Sequence, residues 1–189
     1  ALVAVVAHAQ SVTSVNVASV VGVDVAAGQL TIVGIDIDGF DGPQTLESLF
    51  GDQVVQGANF LACDRIIVWN AAETRYDQYA KYDGDEKWYR CNSLEEWNLG
   101  TVQTNLTLET GTAVWIRCNP TENQSFTLTG EAVASPDFTI ELQQGLQLVA
   151  YPFSSSIVLD DTDFSNDGAT QNVNFLAADQ VIFWTGSEY

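Results

Sequence analysis

Val15, Val17, Val21, Val23 and Val25 fall at odd positions, separated mainly by polar or small residues. Side chains alternate across a strand, so a period of two predicts a half-buried strand and not a helix. After the turn residue Gly28, Leu30-Thr31-Ile32-Val33 and Ile35-x-Ile37 predict further extended segments. Ile66-Ile67-Val68-Trp69 is short and continuously apolar, the pattern of a strand covered on both faces. Asn70 to Thr74 reads as a turn that returns through Tyr76-x-x-Tyr79, and Asp83-Gly84 as a turn before Trp88-Tyr89-Arg90-Cys91. Val114-Trp115-Ile116, Phe126-x-Leu128, Phe138-x-Ile140-x-Leu142 and Leu146-x-Leu148-Val149 extend the series. Two short helices are expected, one over Thr45 to Phe50, stopped by Gly51, and one over Leu94 to Trp97. Many short strands between Gly and Asp turns predict an all-β fold with minor helix, built as a sandwich or barrel.

The pattern recurs. Asn59-Phe60-Leu61-Ala62-Cys63-Asp64-Arg65-Ile66-Ile67-Val68-Trp69 returns as Asn174-Phe175-Leu176-Ala177-Ala178-Asp179-Gln180-Val181-Ile182-Phe183-Trp184, 115 residues later, with seven of eleven pairs identical. Upstream, Val23-x-Val25-x-x-Gly28 matches Ile140-x-Leu142-x-x-Gly145 at an offset of 117. A period this long predicts tandem domains, since solenoid units run to roughly 20–50 residues. The expected division is a first β repeat domain over 10–134 and a truncated second β repeat over 135–189. Residues 1–9 are read as the remnant of a signal peptide. Ala7-His8-Ala9 fits the small-x-small cleavage pattern, and the sequence contains no Met. The competing reading of this segment is a buried first strand. No other apolar run reaches the ~18 residues that span a bilayer. The expected localisation is therefore secreted or cell surface.

Charge narrows the partners. The 189 residues hold 25 acidic and 6 basic side chains, a net charge of −19. All the basic residues lie between Arg65 and Arg117. A nucleic-acid partner needs a basic footprint, so none is expected, and anionic membrane is disfavoured for the same reason. Polysaccharide, or other copies of the same surface protein, are the expected partners.

Val20-Val21-Gly22-Val23-Asp24-Val25-Ala26-Ala27-Gly28, an apolar strand, and Thr45-Leu46-Glu47-Ser48-Leu49-Phe50-Gly51 together resemble a loose group of exported bacterial repeat proteins. Copies in that group run from a valine strand and turn glycine, through an apolar strand ending near N-P-[LF] and a W-x-G-x-x-Y hairpin, to a G-x-x-[FV]-W-I strand. Ala150-Tyr151-Pro152-Phe153, Trp184-Thr185-Gly186-Ser187-Glu188-Tyr189 and Gly111-Thr112-Ala113-Val114-Trp115-Ile116 carry those elements here. The first copy departs at Gly34-Ile35, where the group's proline is lost. The group has no assigned activity, so the resemblance implies a surface location more than a chemistry.

The single His lies within residues 1–9, which removes His-dependent nucleophile systems and His-based zinc sites from the rest of the chain. Only carboxylate chemistry is left, and a carboxylate-based glycosidase fragment is the third-ranked function. Trp88-Tyr89-Arg90-Cys91-Asn92 and Trp115-Ile116-Arg117-Cys118-Asn119 share local phase, and export then makes a Cys91–Cys118 disulfide the expected pairing, against three reduced thiols. Asp36, Asp38 and Asp41 cluster with Gly39 and Gly42 as in a calcium loop, though without the closing Glu of an EF-hand. The competing reading is a solvated acidic turn, and no other cofactor is expected. Trp88 and Trp97, near polar turns, are the candidates for stacking on carbohydrate, while Trp69 and Trp184 read as core. The leading expectation is a non-catalytic secreted or cell-surface repeat module with a structural or adhesive role. A carbohydrate-binding module of a larger secreted protein is the alternative.

Overall fold

The computed structural model describes residues 17–100, 106–134, 138–142, 145, 147–153, 169–170, 172–174 and 178–182. Residues 1–9, expected to be a signal-peptide remnant, lie outside the described residues.

Among the described residues the fold is all-β with two small helices and two antiparallel sheets. In chain order the strands are β1 (Ala18–Val25), β2 (Leu30–Gly34), β3 (Ile37–Asp38), β4 (Arg65–Asn70), β5 (Arg75–Lys81), β6 (Trp88–Arg90), β7 (Ala113–Arg117) and β8 (Gln124–Ala132). The helices are α1 (Leu46–Phe50) and α2 (Leu94–Leu99). One sheet has the order β1-β8-β3 and the other β2-β7-β4-β5-β6. The valine alternation sets the first sheet. Val21, Val23 and Val25 point inward along β1, and the register places Val23 opposite Phe126 and Val21 opposite Leu128 on β8. Val17 precedes the strand and is exposed.

Both sheets contribute to one core. Val25 and Phe126 from the first meet Val33, Ile66, Val114 and Ile116 from the second, all buried. Helix α1 closes this core with Leu46, Leu49 and Phe50, the i, i+3, i+4 stripe of a helix packed on one face. Phe50 meets Phe126 edge-on with centroids 6.0 Å apart. The helix starts at a capping box in which Ser48 stands where Glu or Gln is usual. Thr45 Oγ1 accepts from the Ser48 amide at 3.1 Å, and Ser48 Oγ accepts from the Thr45 amide at 2.8 Å.

A polar bolt fixes α1 to the sheet. Lys81 on β5 is buried, and its ammonium donates to Glu47 Oε1 at 3.0 Å and to the Gly51 carbonyl at 2.9 Å. The other Glu47 oxygen accepts from the Trp88 indole at 2.8 Å. A buried ammonium is tolerated because each of these acceptors returns part of the hydration it lost.

A second, smaller core lies at the β5–β6 end, formed by Phe60, Cys63, Ala80, Cys91 and Trp97 with Tyr82 and Tyr89 packed against it. A 3-10 turn at Phe60–Ala62, which the hydrophobic pattern did not indicate, delivers Phe60 to this cluster.

Two expected strands are corrected. Residues 138–142 and the described residues of 145–149 belong to no strand, and only an isolated bridge between Thr112 and Val149 forms there. Alternation makes a segment able to be a strand, but a ladder also requires a neighbouring backbone. Among the described residues no helix is long and apolar enough to cross a membrane.

Candidate functional site

Asp64 stands between the 3-10 turn and β4 and is fully buried. Its Oδ2 accepts from the Val55 amide at 2.7 Å, while its own amide donates to the Val55 carbonyl at 3.1 Å. Its Oδ1 accepts from the Asn119 amide at 2.7 Å and from Asn119 Nδ2 at 3.0 Å. The carboxylate thus ties the loop before β4 to the turn after β7. Asn119 Oδ1 in turn accepts from the amides of Thr121 and Glu122, which holds that turn in shape.

The same clamp recurs in the second copy. Asp179 Oδ2 accepts from the Thr170 amide at 2.7 Å, and the Asp179 amide donates to the Thr170 carbonyl at 3.0 Å. Asp64 with Val55 and Asp179 with Thr170 are both nine residues apart. The repeat is therefore geometric at this point as well as sequential. The surroundings differ. Ile66 is 0% exposed, whereas its counterpart Val181 is 42% exposed and the next residue, Ile182, is 52% exposed.

The described part of the second copy touches the first at two glycines. The Ala150 amide donates to the Gly111 carbonyl at 2.7 Å, beside the Thr112–Val149 bridge. A Cβ on Gly34 would lie 2.6 Å from Ala150 Cβ. Gly111 has φ +84°, and a Cβ there would lie 2.8 Å from Phe138. The bare backbone at Gly34 is what lets Ala150 approach this closely.

A second buried carboxylate organises the other end of the sheet. Asp77 accepts from Asn70 Nδ2 at 2.8 Å, Asn92 Nδ2 at 2.7 Å and Arg75 Nε at 3.0 Å. Burial works against its ionised form. The two amides and the Arg75 and Arg90 guanidinium groups outweigh burial and hold it below the usual carboxylate range. The two W-x-R-C-N runs thus share a structural task, because each ends in an Asn whose side-chain amide reaches a buried Asp.

The expected disulfide is corrected. All three cysteines are free and buried. Cys118 belongs to the main core and Cys91 to the smaller one. Equal local phase put them at equivalent points of β7 and β6, but β4 and β5 lie between those strands. Three strand spacings amount to about 14 Å, twice the roughly 7 Å Cα separation a disulfide can bridge. Burial pushes the Cys91 thiol up to about 12, and those of Cys63 and Cys118 up to about 11.

The stacking candidates are corrected too. Trp88 is 1% and Trp97 7% exposed, and their indoles donate internally to Glu47 and to the Ala58 carbonyl. Neither ring offers a face to a sugar. A more accessible aromatic pair is Trp69 with Tyr76, edge-on at 4.9 Å across the β4–β5 hairpin and half-buried. Continuous apolarity around Trp69 concealed this, although the hairpin aromatics themselves were visible. Trp184 lies outside the described residues.

Asp36, Asp38 and Asp41 do not assemble. Asp38 Oδ1 is hydrogen-bonded to the Thr110 hydroxyl, and Asp38 and Asp41 are exposed. Asp36 Oδ1 is buried with no hydrogen-bond partner among the described residues. Asp38, Thr110 and Glu109 line a shallow cavity of about 280 Å³. Among the described residues no three His, Cys, Asp or Glu side chains are grouped to hold a metal ion. Glu96, of the adjacent Glu95–Glu96 pair, is engaged by Arg90 and by the Asn92 amide. No family model, curated protein or solved structure matches this chain.

Proposed function

We propose that this chain is a non-catalytic tandem-repeat module with a structural or adhesive role at a cell surface or outside the cell, akin to the exported bacterial repeat proteins it resembles. The observation that carries this reading is the Asp64 clamp repeated at Asp179, with the second copy seated on Gly34 and Gly111 of the first. Repeated units in fixed contact suit a protein whose task is to present or connect. The carboxylates at the centre of the fold serve backbone amides and side-chain amides, which is a structural use of charge. In this reading the two copies belong to a β repeat with an offset of 115 residues.

Labelled chain applied to arrays of glycans and of matrix proteins tests the proposal, together with antibody labelling of intact source cells. Surface labelling with binding to protein surfaces supports it. The alternative, carbohydrate binding, rests on the accessible Trp69–Tyr76 pair. It predicts a glycan signal that Trp69→Ala abolishes. Turnover of a glycoside by the chain would overturn the non-catalytic reading.

A further inference from the structure

Arg65 and Arg117 lie directly opposite each other in the antiparallel register of β4 and β7, so both side chains leave the same face of the five-stranded sheet. Their neighbours Ile66 and Ile116 point into the main core, which puts the two arginines on the opposite, outer face. Arg65 is 8% exposed, and its guanidinium lies 5.9 Å from the centroid of the Phe60 ring. Its Nη1 donates to Gln78 Oε1 at 3.1 Å. Its Nε is buried with no hydrogen-bond partner among the described residues. The Nε side of a guanidinium is one of the edges that grip an oxyanion with two parallel N–H groups. Arg117 is exposed. Arg75, Arg90, Lys81 and Lys87 all pair with carboxylates, but among the described residues neither Arg65 nor Arg117 does, in a chain with 25 acidic side chains. Burial, and then the Arg117 charge, both work against the charged form of Arg65. Like charges placed directly opposite each other also weaken a sheet. Gln180 stands at the matching position of the second copy, so the strand pattern itself does not demand an arginine there.

We infer that Arg65 and Arg117 form an oxyanion-binding site on the outer face of the five-stranded sheet, taking a carboxylate or sulfate group between the two guanidinium groups. Cross-strand partners have Cα atoms about 4.5–5.5 Å apart, so one group with two or more oxygens accepts from both side chains. The unpaired Arg117 closes on the anion from the solvent side, and Arg65 meets it from the sheet. The anion supplies the acceptor that Arg65 Nε lacks and sets an opposite charge between two like ones. Charge-assisted hydrogen bonds of this kind are roughly twice as strong as neutral ones, and burial of Arg65 limits their screening by salt. The net charge of −19 repels anions at long range, so binding depends on short-range contact with these two groups. The same chemistry is offered by an anion free in solution and by one carried along an acidic polysaccharide. The inference goes beyond a structural or adhesive role, because it assigns a ligand class to residues that neither the Asp64 clamp nor the Trp69–Tyr76 pair uses.

Isothermal titration of the full chain at constant ionic strength tests this with sodium sulfate, with an oligosaccharide of uronic acid and with an uncharged oligosaccharide of the same length. The expected result is saturable binding of one anion per chain and none of the uncharged sugar. Similar affinity for sulfate and for the uronate oligosaccharide identifies a site for free anions, and at least tenfold tighter binding of the oligosaccharide identifies a polysaccharide-borne carboxylate. Arg117→Gln should weaken binding about tenfold or more, as the loss of a hydrogen bond between charged groups implies. Arg65→Gln, the exchange that separates the two copies, should do the same, and the exposed Arg117 keeps the test decisive if the buried position disturbs folding. Melting gives a second readout. In chloride, Arg117→Gln should melt no lower than the parent, since it removes a like-charge contact, while the parent should gain more from sulfate than the variant does. Absence of saturable binding by both anions overturns the inference. So does binding that both substitutions leave unchanged, or equal binding of the uncharged oligosaccharide. A failed surface or adhesion assay leaves the sulfate titration unchanged, so the two proposals fail separately.

Discussion

Replacing Asp64 and Asp179 separately by Asn asks one question of two sites with the same pair of bonds. At Asp64 the buried carboxylate accepts three hydrogen bonds, from the amides of Val55 and Asn119 and from Asn119 Nδ2. An Asn side chain keeps the shape but turns one acceptor into a donor, so either Val55 or Asn119 is left facing N–H against N–H. A hydrogen bond to a charged group contributes about 1.5–3 kcal/mol, and an orphaned buried donor adds a cost of its own. Asp64→Asn should therefore destabilise the chain by about 2–4 kcal/mol, a roughly 30- to 900-fold change in the folding constant. Asp179 is exposed, and water can replace the lost acceptor there. Asp179→Asn should stay within about 0.5 kcal/mol of the parent. Urea unfolding of the full chain, followed by tryptophan fluorescence, measures both. The slope should be unchanged for Asp64→Asn while the midpoint falls. Equal effects at the two positions, or an Asp64→Asn chain as stable as the parent, would refute the argument that burial gives the clamp its strength.

Other outcomes follow from the same structure. Because the folded state holds Asp77 below its unfolded value near 3.9, its contribution is complete above about pH 4 and is lost as pH falls through the folded value. Melting temperature should drop over that acid window, and Asp77→Asn, less stable at neutral pH, should flatten the drop. The buried thiols, pushed up to about 11 and about 12, should react slowly with a disulfide reagent in the native chain, while the reduced, denatured chain should yield three. Peptide mapping after mild oxidation should find no Cys91–Cys118 bridge, and finding one would contradict the strand order. Millimolar calcium should raise the melting temperature no more than sodium of equal ionic strength. A calcium-specific rise removed by Asp38→Asn would instead establish a site at the Asp36–Asp41 turn.

The strands were legible where alternation and turn residues agreed, as at Val21, Val23 and Val25 or at the Asn70–Thr74 turn. Phe138-x-Ile140-x-Leu142 alternates equally well and forms no strand, because pairing depends on a distant backbone that local pattern does not encode. The cysteines failed for a related reason. Phase within a strand is local, but the distance between Cys91 and Cys118 is set by strand order, which places β4 and β5 between them. Trp88 and Trp97 sit beside polar turns in sequence, yet their indole donors are satisfied inside the fold by Glu47 and Ala58. A lone Asp before an apolar run has no distinctive motif, so nothing in the sequence around Asp64 marks it as a site. Its recurrence at Asp179 was the one available signal.

The ion pairs also determine how the outside of the molecule behaves. Lys81 is buried beneath the exposed Glu47 that it pairs with, Arg90 is drawn to Glu96 and Asp77, and Arg75 to Glu73 and Asp77. Most of the few cations thus neutralise neighbouring carboxylates on the sheet, the adjoining helices and the hairpin turn, and project little positive field outward. From a distance the protein is a polyanion wrapped in a counterion cloud. At about 0.1 M salt that cloud is roughly 10 Å deep, the width of two strand spacings. Two such surfaces then sense each other only near contact, and dilution of the medium thickens the cloud and holds them apart. The ionic strength of the surroundings thereby becomes a control on crowding, acting without any dedicated sensor residue.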